Sequence, residues 1–211
     1  MATISDNPRM TFIHIPKCAG NSITIWMKKN LNAKITKGKQ HATVYQTKVG
    51  TKHKLGPIKD LGFTFCIVRN PYDYLVSWYE FRRRLCIQYI EYLEKNPGLV
   101  DSRKKRFNLQ GHKQRLDRLN NIGFEEWVKS HHIKQQHYWA NDCDYVMKLE
   151  NINEDFKIIQ NKTGIFEPLP HNNAGGIRKK DYKSYYTKQE TIDYVANKFS
   201  NDLTFYNYKF S

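Results

Sequence analysis

The chain has 211 residues, 39% of them hydrophobic and 14% aromatic; that length fits one large domain or two very small ones, and 14 Tyr with 11 Phe exclude a disordered chain. Thirty-five Lys and Arg against 20 Asp and Glu give a formal net charge of +15, which calls for an anionic partner: nucleic acid, a membrane surface, a phosphorylated cofactor or an acidic polymer. No stretch approaches the roughly 18 consecutive apolar residues of a membrane span, and residues 1–10 lack the apolar core of a secretion signal, so the expectation is a soluble, cytoplasmic protein with a single domain over residues 1–211.

In chain order, Met10 to Ile15 is a short apolar, β-branched and aromatic run, followed at once by Pro16-Lys17-Cys18-Ala19-Gly20-Asn21-Ser22. The pattern predicts a strand and a tight loop. From Ser22, the apolar residues Ile23, Ile25, Trp26 and Met27 lead into Lys28 and Lys29, a short helix with cations at its C-terminal end, where the dipole favours them. Residues 7–59 contain no Asp or Glu while carrying Arg9, Lys17 and nine further lysines. That segment is expected to face an anion; the plainer reading of each lysine is a solvated surface.

Residues 30–60 are weakly patterned. Gly62 then opens a second strand, Phe63-Thr64-Phe65-Cys66-Ile67-Val68, whose continuous apolar character implies cover on both faces, as in a parallel sheet. After Arg69, Asn70-Pro71 supplies an N-cap residue and a Pro at the first helical position, and the helix should run to about Glu94 with Leu75, Trp78, Tyr79 and Leu85 inward. Residues 95–123 read as an exposed excursion, Phe124 to Val128 as a short helix and Tyr145 to Leu149 as a strand. Residues 153–160 read as a helix capped at Asn153, residues 168–181 as a loop, and Thr187-Lys188-Gln189-Glu190 as a capping box opening the final helix. The alternation predicts an α/β fold: a mainly parallel central sheet flanked by helices in three layers, with ligands at the carboxyl ends of the strands.

Two strand-to-helix junctions fall at those ends, with Lys17 in the first and Arg69 in the second. A loop with Gly20, Asn21 and Ser22 running into a helix presents backbone N–H groups to an anion. It is a phosphate-binding loop in outline but not a Walker loop, because GxxxxGK[ST] is absent and the lysine precedes the glycine; a plain structural turn is the alternative. The four cysteines, Cys18, Cys66, Cys86 and Cys143, form no CxxC pair and indicate neither zinc nor a redox motif.

His14-Ile15-Pro16-Lys17-Cys18-Ala19-Gly20-Asn21-Ser22 resembles the HIPKTAGTS motif of carbohydrate-type (family 2) sulfotransferases. Val68-Arg69-Asn70-Pro71-Tyr72-Asp73-Tyr74-Leu75-Val76-Ser77-Trp78-Tyr79 is similar to their second signature, VRNPYDRLVSAY, and the resemblance continues in Phe124 to Trp127, Leu149 to Ile152, Pro170 to Asn173 and Tyr185 to Thr187. Cys18 and Asn21 replace the family's threonines, and Tyr74 its Arg. The resemblance implies a donor substrate, 3'-phosphoadenosine 5'-phosphosulfate (PAPS), a product, adenosine 3',5'-bisphosphate, and no metal. It implies that Pro16, Lys17, Cys18, Ala19, Gly20, Asn21 and Ser22 form the 5' loop, with Lys17 on the bridging oxygen and Gly20 to Ser22 on the 5'-phosphate. Arg69 and Ser77 would bind the 3'-phosphate, and Arg178 and Lys179 would close over the nucleotide unless they are only an exposed basic loop.

The acceptor implied is a hydroxyl, of a saccharide, and the base implied is His41, by its position between the two motifs; a surface histidine or a carboxylate base are the alternatives. His14 reads as a packed, hydrogen-bonded residue, His131, His132 and His137 as exposed, and His171 as a nucleotide contact instead. Two rivals stand beside this reading: a nucleotide-dependent phosphotransferase, and a non-catalytic binder of nucleic acid or acidic polysaccharide. A specific nucleic-acid partner is not expected.

Overall fold

The computed structural model describes residues 2–36, 41–51, 56–170 and 181–211. Its strands are Ala2–Asp6 (β1), Arg9–Ile13 (β2), Lys34–Ile35 (β3), Phe63–Val68 (β4) and Tyr145–Lys148 (β5), in the sheet order β3-β1-β2-β4-β5. The helices are Gly20–Leu31 (α1), Val44–Val49 (α2), Pro71–Lys95 (α3), Leu109–Ser130 (α4), His137–Ala140 (α5), Ile152–Thr163 (α6), Gln189–Lys198 (α7) and Ser200–Phe205 (α8).

β2, β4 and β5 are parallel, with Phe12 opposite Phe65 and Val68 opposite Lys148, so both predicted strand-to-helix junctions emerge at one edge of the sheet. β1 and β3 are antiparallel additions beyond β2. The sheet is thus α/β and parallel at its centre, with an antiparallel margin that the sequence pattern did not announce. β1 hides because its inward positions are partly hydroxyls: Thr3 and Ser5 are buried, and the Thr3 hydroxyl hydrogen-bonds that of Thr24 on α1 at 3.1 Å.

The described chain divides into two compact units. Unit 1 comprises Met1–Pro71, Lys134–Lys179 and Asn201–Lys209 and holds the whole sheet. Its core sets Phe12 against Phe65 with ring centroids 5.4 Å apart and Trp26 edge-on to Phe156 at 4.9 Å. Burying an aromatic side chain of this size contributes on the order of 2–3 kcal/mol.

Unit 2 comprises Tyr72–Ile133, Lys180–Ser200 and Phe210–Ser211 and is helical. Tyr79, Phe124, Trp127 and Tyr186 form its core, and the Tyr79 hydroxyl donates to the Leu119 carbonyl at 3.0 Å. The expected excursion over 95–123 is corrected here: from Leu109 onward it is α4, with a non-helical Gly123 (φ 67°) between its two segments. Its inward face is too polar to read as a stripe, because a buried His112, stacked on Tyr89 at 4.7 Å, stands where an apolar residue would be expected.

Two predicted caps also differ. α6 begins at Ile152, with Asn151 rather than Asn153 before it and no side-chain cap bond. The Thr187 capping box does not form: the Glu125 carboxylate of α4 accepts the N–H groups of Thr187 and Lys188, both at 2.8 Å. Among the described residues, no helix is long and apolar enough to cross a membrane.

Candidate active site

The loop between β2 and α1 makes its turn with two non-glycine residues in the left-handed region, Lys17 (φ 66°) and Ala19 (φ 50°). Such residues cost of order 1 kcal/mol each and cluster where a backbone must aim its amides. α1 then starts at Gly20 with no side-chain cap and no acid in its first turn. A helix N-terminus of this kind, with Lys17 beside it, suits an anion.

Gly20 is required by contact rather than by its own φ. A Cβ there would overlap the imidazole of His14, which packs against the start of α1. Asn21 is exposed and Ser22 buried, and the Ser22 N–H donates to Ala19 O at 3.0 Å. Cys18 does not stand in for a ligand-binding hydroxyl: its side chain is buried, burial pushes its thiol up, and it donates to Oε1 of Gln136 at 3.1 Å. Any contact of residue 18 with an anion falls to its backbone.

The second junction meets the first. Nη1 of Arg69 donates to the Lys17 carbonyl at 3.3 Å. The Arg69 peptide is held by Gln136, whose Oε1 accepts its N–H at 2.8 Å and whose Nε2 donates to its carbonyl at 2.7 Å. Asn70 is anchored as firmly, its N–H donating to Oε1 of Glu150 at 2.7 Å and its Nδ2 to the Lys209 carbonyl at 2.9 Å. The Tyr208 hydroxyl donates to the other Glu150 oxygen at 2.7 Å; burial and that carboxylate push its pKa up.

His41 lies close to the first loop. Its Nδ1 is 2.8 Å from the His14 carbonyl, an acceptor only, so Nδ1 carries the proton and the neutral ring keeps its lone pair on Nε2. The two imidazoles meet edge-on at 4.8 Å, and the Trp139 indole N–H fixes the His41 carbonyl at 3.2 Å. Burial lowers the His41 pKa, against a smaller opposing effect of the bond to His14. The ring is held in the form that accepts a proton.

Unit 1 therefore brings together the loop 16–22, Arg69 and His41. Ser77 lies on α3 in unit 2. Arg178, Lys179 and His171 lie outside the described residues. Sequence reasoning missed Gln136, which sits in a segment taken as polar and exposed yet is fully buried. It matched the motif around Glu150 without giving that carboxylate a task. Among the described residues, no group of three or more His, Cys, Asp or Glu side chains is gathered to hold a metal ion.

Lys17, Arg69 and the acid-free start of α1 thus lie together in an arrangement suited to an anionic group. A model of the sulfotransferase family, family 2, matches residues 1–209, and the chain belongs to that family. Searches of curated proteins and of solved structures find no match.

Proposed function

We propose that the protein transfers a sulfuryl group from PAPS to a hydroxyl of a saccharide, with release of adenosine 3',5'-bisphosphate. The observation that carries this reading is the meeting of the two basic junctions, where the Arg69 guanidinium reaches the Lys17 carbonyl beside an uncapped, acid-free helix start. A donor with phosphates at both ends of its nucleoside needs two anion sites at a fixed separation.

The roles are those that the two family motifs imply for these residues. Gly20, Asn21 and Ser22 hold the 5'-phosphate, the Ser22 N–H itself being spent on the Ala19 carbonyl, and Lys17 neutralises the bridging oxygen as its bond to sulfur breaks. Arg69 holds the 3'-phosphate by charge-assisted hydrogen bonds, and the second motif assigns Ser77 to the same group. His41 Nε2 takes the acceptor hydroxyl's proton while the new sulfur–oxygen bond forms in line with the one that breaks. The Arg178 and Lys179 assignment rests on the motif alone.

The test is a transfer assay with sulfur-labelled PAPS and a panel of glycans, lipids, small alcohols and tyrosyl peptides. Label should pass to saccharide hydroxyls. Lys17→Ala and His41→Ala should each lower turnover by about 100-fold or more, the range usual for losing one electrostatic donor or a general base. The acidic limb of the pH–rate profile should vanish with His41. A Lys17→Ala enzyme within a few-fold of the parent would overturn the mechanism; label on peptides alone would overturn the acceptor.

A further inference from the structure

Arg69 stands one residue beyond the end of β4, where the ladder to β5 closes at Val68 and Lys148. Its peptide has passed the last strand pair and needs another partner. Gln136 supplies one: its primary amide offers an acceptor and a donor to the N–H and C=O of the same residue, as a neighbouring strand would.

The same amide has two further bonds. Oε1 also accepts the Cys18 thiol at 3.1 Å, and Nε2 also donates to Oδ2 of Asp202 at 3.4 Å. Asp202, fully buried on α8, takes the backbone N–H of Gln136 at 2.8 Å and that of His137 at 2.7 Å. Both edges of the amide are thus committed, and its orientation is fixed. Oε1 faces two donors and Nε2 two acceptors.

We infer that Gln136 is a positioning residue that sets the Arg69 guanidinium relative to the Lys17 loop, and so fixes the enzyme's preference for a nucleotide phosphorylated at both the 3' and 5' ends. The inference rests on the assignment of Arg69 to the 3'-phosphate. The two peptide planes that flank the Arg69 Cα determine where its Cα–Cβ bond points, and the guanidinium inherits that direction. With those planes released, the 5' loop loses the Cys18 thiol bond and the Arg69 contact to the Lys17 carbonyl but keeps its own Ser22-to-Ala19 turn, while the second anion site loses its place. The loss therefore falls on 3'-phosphate recognition and not equally on all binding.

The test measures, by calorimetry, the dissociation constants of adenosine 3',5'-bisphosphate and adenosine 5'-phosphate for the parent and for Gln136→Met, with melting temperatures alongside. The parent should prefer the bisphosphate by about tenfold or more, as expected for one charge-assisted contact. Gln136→Met should lose most of that ratio while changing affinity for the 5'-phosphate by less than about threefold. In turnover, KM for the donor should rise and kcat at saturation should change little. Gln136→Asn keeps the amide but is one methylene too short; it carries the same comparison if the Met variant does not fold.

A folded variant that keeps the parent's ratio, whatever its melting temperature, overturns the positioning role and leaves Gln136 a core residue. A parent that does not distinguish the two nucleotides overturns the Arg69 assignment, and the inference falls with it.

Discussion

The imidazole of His14 is buried, faces Gly20 and His41, and has an Nδ1 with no hydrogen-bond partner among the described residues. Burial, and to a smaller extent His41, disfavour the charged ring and bring its pKa down from 6.5 to about 3. The folded state therefore stays unprotonated where the unfolded chain binds a proton. Stability is fully present above about pH 6.5 and is lost as pH falls toward about 3, at up to roughly 1.4 kcal/mol per pH unit. Melting temperatures of the parent should decline over that window, and His14→Gln, which has no proton to take up, should show a shallower decline. A Gln variant with an unchanged slope would move the pH dependence to other groups. This residue also shows what a motif can hide: His14 reads as a packed, hydrogen-bonded residue, and it is packed, against the glycine at which α1 begins, but its Nδ1 has no hydrogen-bond partner among the described residues.

Between elements, the clearest departure from sequence expectation lies at the entrance to α7. Thr187-Lys188-Gln189-Glu190 has the spacing of a self-contained cap, yet Glu125 of α4 reaches in and accepts both main-chain N–H groups and the Thr187 hydroxyl. A carboxylate on a neighbouring helix outcompeted a local hydroxyl because it takes several donors at once and carries charge. Glu125→Ala should consequently cost about 1 kcal/mol in denaturant unfolding, as for losing a helix cap whose amides pass to water, and Thr187→Ala distinctly less. The reverse order would restore the local cap. The same distinction explains which parts of the chain were legible. β2, β4 and the two junctions announce themselves locally, as apolar runs that end at a cation and a turn. β1, α4 and the bracing of Arg69 by Gln136 depend on partners dozens of residues away, and hydroxyls, His112 and a buried amide occupy positions where a pattern search expects aliphatic side chains. Tyr208, Glu150 and Lys209 brace Asn70 through the same kind of remote pairing.

At the scale of the whole chain, the net charge of +15 is distributed unevenly, with no acid in residues 7–59. Part of that segment's charge is neutralised from outside it: Arg9 and Lys34 pair with Asp6, and Lys29 with Glu167 at 2.7 Å. Those pairs are largely exposed and contribute little to stability, but they lower the positive field away from the loop. The first turn of α1 has no such acid. On the proposed function, two kinds of attraction would act on a nucleotide bisphosphate, a long-range field from solvated lysines and close contacts at Lys17 and Arg69. Salt separates them, since raising NaCl from about 50 mM to about 500 mM shortens the screening length from about 14 Å to about 4 Å. The field should be screened and the half-buried contacts largely kept. Affinity for adenosine 3',5'-bisphosphate, measured by calorimetry, should fall by about three- to tenfold over that range and then level. An affinity that ignores salt would show that the net charge plays no part in capturing the donor. A fall beyond about 100-fold would mean that solvated charge, rather than close contact at the two junctions, holds the nucleotide.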